Sequence, residues 1–325
     1  MIAPAIFASV VIFCMGSMAY VYKYRGKARY ESVGEYLRKG WPIFTPLNCL
    51  LYLFTKKRAR KPIMDPHDFP ELKPLQDNWE TIREEAMALY KDGSFDPIGD
   101  PNNASFYDVG FRTFYKYGWR KFYLNWYGGY IHESAKKRCP RTLELLKNIK
   151  GINGAMFSLL PPGSKLTRHL DPAACSLRYH LGLSTPNNEA CFINVDQQSY
   201  SWRDGDAFLF DETFIHYATN QSDDYRLILM CDVERPLGIF GKLVNFFYKS
   251  IMPLTVVPNT DEDRRGLANR IFHGLVPLLQ RSKELKKTNI VKYRLLKWTV
   301  NTVLLLILAG IVFGVLQLIA WIFNL

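Results

Sequence analysis

Apolar residues are distributed unevenly along the chain, and their distribution divides it into five segments. Residues 1–22 contain no charged side chain, and residues 298–325 form a second uncharged apolar run. Each run is long enough for a helix that crosses a hydrocarbon layer of about 30 Å, which predicts one transmembrane helix at each end. Between them lie a basic segment, 23–61, a segment of mixed character, 62–236, and a basic amphipathic segment, 237–297.

The middle segment, 62–236, carries short apolar runs whose length and alternation predict β-strands. Glycine, proline and asparagine turns separate the runs, which is typical of a jelly roll, also called a double-stranded β-helix. The predicted strands are Gly154–Leu160, Ser176–Leu183, Cys191–Val195, Ala207–Phe210 and Arg226–Val233. Helical spacing over Trp79–Tyr90, and again after Cys139, predicts flanking helices. The expected fold is therefore mainly β, a jelly-roll domain with flanking helices and a transmembrane helix at each terminus.

The positive charge of the chain lies outside this middle segment. The chain has 42 Lys and Arg against 30 Asp and Glu, whereas residues 62–236 hold 19 basic and 24 acidic side chains. Nucleic-acid binding usually needs a basic stripe on the folded domain, so this class of partner is excluded. Basic residues that flank apolar segments instead favour a membrane surface. Both terminal apolar runs have their basic flank on the side of the middle segment, which predicts that this segment is cytoplasmic.

Two shorter apolar stretches allow more than one interpretation. Trp41–Phe54 is too short and too interrupted by prolines for a confident span, and predicts an interfacial or re-entrant segment. The alternative is a linker helix packed on the domain. Leu237–Lys249 has a broad apolar face with two lysines, which predicts a helix in the membrane interface or one packed on the barrel.

The six cysteines show no metal-binding pair and no disulfide framework. Their spacing includes no CxxC motif. Cys175, Cys191 and Cys231 lie in or beside apolar strand-like runs, where free thiols are commonly buried. A reducing compartment is therefore expected.

The triplet His169-Leu170-Asp171 is the first candidate for chemistry. Side chains two positions apart on an extended strand point to the same face, so one short segment offers an imidazole and a carboxylate. His216 follows 47 positions later, far enough for the chain to cross a small barrel and return. Two histidines and one carboxylate on one side of a metal form the facial triad of non-heme Fe(II) oxygenases. Such a triad leaves open positions for dioxygen and an organic cosubstrate.

Three further polar residues are predicted to face the same cavity. Arg226 opens an apolar strand ten positions after His216, and a buried arginine needs an anionic partner. Its planar fork suits the far carboxylate of 2-oxoglutarate. In the run Ser176–Leu183, strand alternation places Arg178 and His180 on the cavity face and the leucines on the other.

These motifs resemble the aspartyl/asparaginyl β-hydroxylase family over roughly residues 105–236. The resemblance rests on these residues: Ser158, the turn Pro162-Gly163, His169, Leu177–Leu183, Trp202, Gly205, Phe210-Asp211, His216, Arg226 and Asp232. Members of this family are Fe(II)- and 2-oxoglutarate-dependent dioxygenases with a double-stranded β-helix core.

The resemblance implies roles for individual residues of this chain. His169 and His216 would bind iron, and Ser158, Arg178, His180 and Arg226 would bind 2-oxoglutarate. Asp171 as the third iron ligand rests on the spacing argument and on the similarity to the lipid A hydroxylase branch of the family. The animal peptidyl hydroxylases carry glycine at the position of Asp171, which counts against a peptide-hydroxylating activity.

The expected function is hydroxylation of a lipid A acyl chain at its 2-position, at the cytoplasmic face of a Gram-negative inner membrane. The alternatives are a membrane-tethered hydroxylase of Asp or Asn side chains in proteins, and a noncatalytic membrane sensor that retains the barrel. The aromatic block Phe106–Tyr127 is interpreted as barrel packing, with an acyl-chain groove as the alternative.

Overall fold

The computed structural model describes residues 2–95, 117–127, 129 and 132–323, except for the side chains of residues 2–7 and of scattered positions after 271. The chain forms two compact units, one from Cys14 to Asn269 and one from Met1–Phe13 together with Arg270–Leu325. Every residue that the sequence predicts to carry chemistry belongs to the first unit. The predicted aromatic block is described only from Tyr117 to Tyr127, and its earlier part lies outside the described residues.

Two antiparallel sheets form the core of the unit Cys14–Asn269. The larger sheet has the strand order β1-β8-β5-β10-β3-β2, and the smaller sheet has the order β4-β9-β6-β7. From β3 to β10 the chain alternates between the sheets, apart from the hairpin of β6 and β7, and this alternation confirms the predicted jelly roll. The strands are β1 Ile63–Met64, β2 Arg120–Trp126, β3 Ile152–Leu160, β4 Lys165–His169, β5 Ser176–Ser184, β6 Cys191–Val195, β7 Gln198–Ser201, β8 Ala207–Phe210, β9 His216–Asn220 and β10 Arg226–Glu234.

Strand alternation separates an outer core from an inner wall in the larger sheet. On β5, Leu177, Tyr179 and Leu181 are buried in the outer core, whereas Arg178 and His180 line the cavity between the sheets. The prediction for this strand is thus confirmed. Burial of each leucine stabilises the fold by roughly 1.5–3 kcal/mol. A register slip of one residue would remove several of these contributions and turn Arg178 and His180 into the apolar outer core.

Helices precede, interrupt and follow these strands along the chain. They are α1 Ile2–Lys23, α2 Val33–Lys39, α3 Thr45–Phe54, α4 Lys73–Asp77, α5 Trp79–Lys91, α6 Glu133–Arg138, α7 Pro140–Asn148, α8 Ile239–Ile251, α9 Leu267–Gly274, α10 Val276–Thr288 and α11 Ile290–Phe323. The two helices predicted from Trp79 and after Cys139 correspond to α5 and α7. They are joined by the buried Glu85, whose carboxylate accepts hydrogen bonds from the backbone N–H groups of Arg141 and Thr142 at the start of α7. A carboxylate at a helix N-terminus satisfies donors that have no partner within the helix.

Helices α3 and α8 pack against each other and against the barrel. Leu51 of α3 is fully buried in the same cluster as the inner residues of the sheets. On α8, Gly241 faces Phe54, and a Cβ atom at this glycine would lie 2.7 Å from the Cβ atom of Phe54. Trp41–Phe54 and Leu237–Lys249 therefore pack on the domain through one helix face, as the second interpretation of each segment predicts. The other face of each helix remains exposed.

The structure also bears on the predicted membrane spans. Among the residues that it describes, no helix combines the length and the apolar character needed to cross a membrane. The transmembrane helices predicted at 1–22 and 298–325 are thus not confirmed, and parts of both segments lie outside the described side chains.

Candidate active site

The three predicted metal ligands lie together at one end of the cavity. His169 and His216 are directly opposite each other in the pairing of β4 with β9, and their ring centroids are 4.3 Å apart. Asp171 completes the cluster, and one ligand atom from each of the three residues lies within 4.8 Å of the others. Two nitrogens and one oxygen are thus gathered on one side of a common point.

Asp171 reaches this cluster from a connection rather than from the strand. The sequence predicts both ligands on one extended strand, but β4 ends at His169. The backbone N–H of Asp171 donates to the carbonyl of Glu212 at 2.9 Å. This bond ties the carboxylate ligand to the turn that leads into His216.

Backbone hydrogen bonds fix the tautomer of both histidines. The Nδ1 atom of His169 lies 2.6 Å from the carbonyl oxygen of Thr167, and Nδ1 of His216 lies 2.9 Å from that of Phe214. A carbonyl can only accept, so each Nδ1 carries the proton and each Nε2 presents a lone pair. Histidines that bind a metal commonly donate their other ring N–H to a carbonyl in this way.

The electrostatics of the cluster also suit a metal. Burial lowers the pKa of His169 to about 4. Burial, and next the charge of His169, lower the pKa of His216 well below its ordinary value. Both imidazoles are therefore neutral near pH 7, as metal binding requires. The set of two neutral imidazoles and one carboxylate fits a ferrous ion.

A single cavity gathers all seven predicted site residues. Besides the three metal ligands it is lined by Ser158, Arg178, His180 and Arg226. The remaining wall is apolar or aromatic and consists of Trp119, Leu166, Ile193, Trp202, Phe210, Ala218 and Met230.

Arg226 is a buried cation without an acidic partner among the described residues. Only 1% of the residue is exposed, and its guanidinium donates to Ser158 Oγ at 2.8 Å and lies 4.5 Å from the ring of Trp202. No carboxylate of the described chain forms an ion pair with it. Burial lowers its pKa to about 10, which leaves it charged at neutral pH. Since a buried unpaired charge costs several kcal/mol, this position fits an anionic ligand.

Ser158 and His180 present donors beside Arg226. Ser158 Oγ accepts from Arg226 and from Trp119 Nε1, the latter at 2.7 Å, so its hydroxyl proton is left for another acceptor. Trp202 Nε1 donates to His180 Nδ1 at 3.3 Å, which places the proton of the neutral ring on Nε2. That buried Nε2 has no hydrogen-bond partner among the described residues. The three side chains together fit one carboxylate-bearing ligand.

Arg178 is surrounded by three carboxylates. Its guanidinium contacts Asp171 at 2.9 Å, Asp232 at 3.1 Å and also Glu212. Burial alone would lower its pKa, but the charges of Asp232, Glu212 and Asp171 raise it. The structure thus brings Arg178 to the cavity wall as predicted, and its guanidinium contacts the metal-ligand candidate Asp171.

Glu212 was not predicted from the sequence, although it is central to this network. It is buried, accepts from Ser176 Oγ at 3.0 Å and pairs with Arg178. Burial raises its pKa to about 8, and burial likewise raises the pKa of Asp232 to about 6, in both cases against the charge of Arg178. Its only signal in the sequence is its position next to Asp211 and shortly before His216. This position alone does not show whether an acidic residue is buried or lies on the surface.

A second charged cluster supports the turn before His216. Asp211 pairs with Arg235 at 2.8 Å and with Arg25 at 2.9 Å, and Arg25 also donates to Thr213 Oγ1. Burial would raise the pKa of Asp211, but the two arginines hold it well below its ordinary value. The side chain of Arg25 is only 9% exposed. This arginine, counted as part of the basic membrane flank, is therefore a structural member of the site.

Replacing Arg25 with methionine is expected to lower the free energy of unfolding by about 2 kcal/mol, the scale of a lost charge-assisted hydrogen bond. The loss is moderate because Arg235 still neutralises Asp211. Thermal unfolding would show a Tm lower by roughly 4–8 °C. Lys27→Met is the matched control, since its side chain is exposed in the same segment. Equal Tm values for the two variants would refute the structural role of Arg25.

The fold and the site together define the class of protein. A jelly roll whose two sheets enclose two histidines and an aspartate has the ligand set typical of non-heme iron oxygenases. Residues 76–236 match the family model of the aspartyl/asparaginyl beta-hydroxylases. This segment, about half of the chain, belongs to that family.

The similar proteins include a lipid acyl hydroxylase and an aspartyl/asparaginyl hydroxylase. The ornithine lipid ester-linked acyl 2-hydroxylase of Rhizobium tropici is 31% identical over 58% of this chain and 66% of that protein. The human aspartyl/asparaginyl beta-hydroxylase is 31% identical over 51% of this chain and 21% of that protein. The chain thus spans less than two thirds of the length of either relative.

Solved structures show only a distant similarity of fold. A prolyl-4-hydroxylase of Pseudomonas putida has a TM-score of 0.34 and 16% identity, covering 49% of this chain and 88% of that one. The assignment of the jelly roll therefore rests on the strand order of this chain itself.

Proposed function

We propose that this protein is an Fe(II)- and 2-oxoglutarate-dependent dioxygenase that hydroxylates a lipid acyl chain. The observation that carries the proposal is one cavity with two distinct halves. One half is the cluster of His169, Asp171 and His216, and the other is the buried Arg226 without an acidic partner. A metal and a dianionic cosubstrate satisfy both halves at once.

The cosubstrate is held by residues of the larger sheet. Arg226 would hold the far carboxylate of 2-oxoglutarate, and the hydroxyl of Ser158 would donate to the same group. His180 would donate to the ligand through Nε2. Arg178 contributes mainly by holding Asp171 in place, because its guanidinium is already paired with three carboxylates.

His169, Asp171 and His216 would hold the metal, which would supply the chemistry of dioxygen activation. Overall, 2-oxoglutarate, dioxygen and a C–H bond become succinate, carbon dioxide and a C–OH group. The chain excludes water from this step with the aromatic and aliphatic wall of the cavity, including Trp119, Trp202 and Phe210. The two histidines hold their Nδ1 protons on backbone carbonyls, so that the ligand nitrogens stay unprotonated.

The substrate is proposed to be the acyl chain of lipid A, hydroxylated at its 2-position. Similarity to an ornithine lipid acyl 2-hydroxylase supports a lipid. The presence of Asp171 supports the lipid-hydroxylating branch over the peptide-hydroxylating one. A hydroxylase of Asp or Asn side chains in proteins is the competing function, favoured by the equal identity to the human relative.

We further propose that the protein acts at the cytoplasmic face of a Gram-negative inner membrane. Support comes from the uncharged runs 1–22 and 298–325, each with its basic flank towards the jelly roll. An enzyme that oxidises an acyl chain must meet its substrate at the bilayer surface, so membrane attachment and lipid substrate support each other.

Mass spectrometry of lipid A tests this function. Cells that lack the protein would be complemented with the wild type or with His169→Ala. We expect one additional oxygen on a secondary acyl chain with the wild type only. Unchanged lipid A in both strains, combined with conversion of 2-oxoglutarate to succinate by the purified wild type, would refute the lipid A substrate and favour a protein or another lipid.

A further inference from the structure

Helix α8 presents an apolar stripe that no described residue covers. Its outward side chains recur at helical spacing, which places them on one side of the helix. They are Ile239, Phe240, Leu243, Phe246, Phe247 and Ile251, with exposed fractions between 59% and 80%. Such a set is unusual, because proteins in water rarely leave a contiguous apolar patch of this size exposed.

The stripe continues onto α3 within the same compact unit. The rings of Phe240 and Phe54 have centroids 5.8 Å apart, and Leu53 of α3 is 66% exposed. The opposite face of α8, with Gly241, Asn245 and Tyr248, is buried against the rest of the unit. The exposed face is thus not a packing surface of the barrel.

The charge around the stripe selects its partner. From Arg235 to Thr260 the chain has no acidic residue, whereas α8 carries two lysines. Lys249 pairs with Glu234 at 2.8 Å, and Lys242 is exposed beside the apolar side chains. An apolar helix face bordered by an exposed lysine matches the interface of an anionic bilayer, with apolar side chains in the acyl region and the ammonium group at the phosphates.

The same two helices hold the loop that carries the metal ligand Asp171. Asn48 of α3 donates to the carbonyl of Pro172 at 2.9 Å and accepts from the backbone N–H of Ala174 at 3.0 Å. Tyr248 of α8 donates to the same carbonyl at 3.4 Å. The two helices that carry the exposed stripe therefore contact, through their buried faces, the residue next to the oxygen ligand.

We propose that the exposed face of α8, continued by Leu53 and Phe54 of α3, is a docking surface for an anionic lipid bilayer. Resting on the proposed function, this surface brings the loop after Asp171 to the membrane, where an acyl chain can reach the cavity. The role is separate from that of the terminal apolar runs, which would attach the chain without orienting the site.

Depth-dependent quenching tests the docking directly. Full-length Phe247→Cys and Tyr217→Cys would be labelled with bimane and reconstituted in vesicles of phosphatidylcholine and phosphatidylglycerol that carry nitroxides on the acyl chains. Tyr217 is the matched control, an aromatic residue of β9 that is 37% exposed. Cys14 is replaced by serine in both, since the other cysteines are buried. We expect quenching at 247 to exceed that at 217 by about fivefold or more, because interfacial helices bury their apolar face among the chains.

A functional variant separates docking from chemistry. Phe240→Ser combined with Phe247→Ser is expected to lower lipid hydroxylation in vesicles by about tenfold or more. Consumption of 2-oxoglutarate without lipid substrate stays at the wild-type rate, and Tyr217→Ser changes neither.

The outcomes distinguish this surface from the proposed function. Equal quenching at 247 and 217 would overturn the docking surface. A dimer that is dissociated by Phe240→Ser combined with Phe247→Ser would also overturn it, and would assign the stripe to contact with a second protein. Strong quenching at 247 without lipid hydroxylation by the wild type would leave docking standing and refute the lipid substrate.

Discussion

Replacing His216 with alanine is expected to lower the affinity for Fe(II) by more than about 100-fold and to abolish conversion of 2-oxoglutarate to succinate. Loss of a residue that only supports a ligand already costs 10–100-fold, and here the ligand itself is removed. His169 and Asp171 would remain, but two donors leave the ion without the third anchor of a facial triad. Anaerobic titration with Fe(II) measures the affinity without relying on turnover.

The control for this variant is another histidine of the same unit. The side chain of His67 is 95% exposed and belongs to no cluster at the cavity, so His67→Ala should bind Fe(II) like the wild type. Circular dichroism would verify that both variants fold. Retention of wild-type Fe(II) affinity by a folded His216→Ala protein would exclude this histidine as a ligand.

The sequence predicts the inner wall of the site well because strands alternate. Arg178 and His180 fall on one face of β5, and this face must point into the barrel since Leu177, Tyr179 and Leu181 need the outer core. The separation of 47 residues between the histidines corresponds to the return of the chain from β4 to β9. In the structure the two residues are cross-strand partners.

Two local predictions differ from the structure for reasons connected with proline. Strand β4 stops before Asp171 because Pro172 follows, and proline lacks the N–H that a continuing strand would need. The sequence predicts that Pro46 interrupts Trp41–Phe54, yet it lies in the first turn of α3, where proline is well tolerated. The position of a proline relative to an unknown element boundary cannot be read from composition alone.

The partners of the charged residues could not be predicted from the sequence. Arg178 meets Glu212 and Asp232 only because β5 lies between β8 and β10 in the larger sheet. Arg25 reaches Asp211 across 186 positions of sequence. Such contacts depend on the order of strands and on the path of the N-terminal segment, and a basic residue beside an apolar run gives no signal that it will fold back.

The family resemblance implies that Arg178 and Arg226 both bind 2-oxoglutarate, but the two arginines differ in how far their charge is already neutralised in the cavity. Arg178 has three carboxylates around it, so its charge is compensated before any ligand arrives. Arg226 is equally buried, but its contacts are a hydroxyl and an aromatic ring. A ligand carboxylate therefore gains more at Arg226, because only there does it neutralise an uncompensated charge.

Replacing Arg226 with methionine is expected to weaken 2-oxoglutarate binding by about 100-fold, or roughly 2.7 kcal/mol. Methionine fills part of the volume and keeps the apolar contact with Trp202, so the loss reports on the charge and its hydrogen bonds. Fe(II) affinity should change little, since His169, Asp171 and His216 lie on other strands and connections. Calorimetric titration of 2-oxoglutarate into the protein loaded with Mn(II) gives the affinity without turnover.

Two companion variants make the result specific to the guanidinium at this position. Arg203→Met removes an arginine whose partner is the exposed Glu189 outside the cavity, and should leave cosubstrate affinity unchanged. Arg226→Lys keeps the charge but not the planar fork, so its affinity should lie between those of the wild type and Arg226→Met. If Arg226→Met binds 2-oxoglutarate as tightly as Arg203→Met does, the far carboxylate is held elsewhere. Arg178 would then be the remaining candidate, and its release from Glu212 and Asp232 would have to accompany binding.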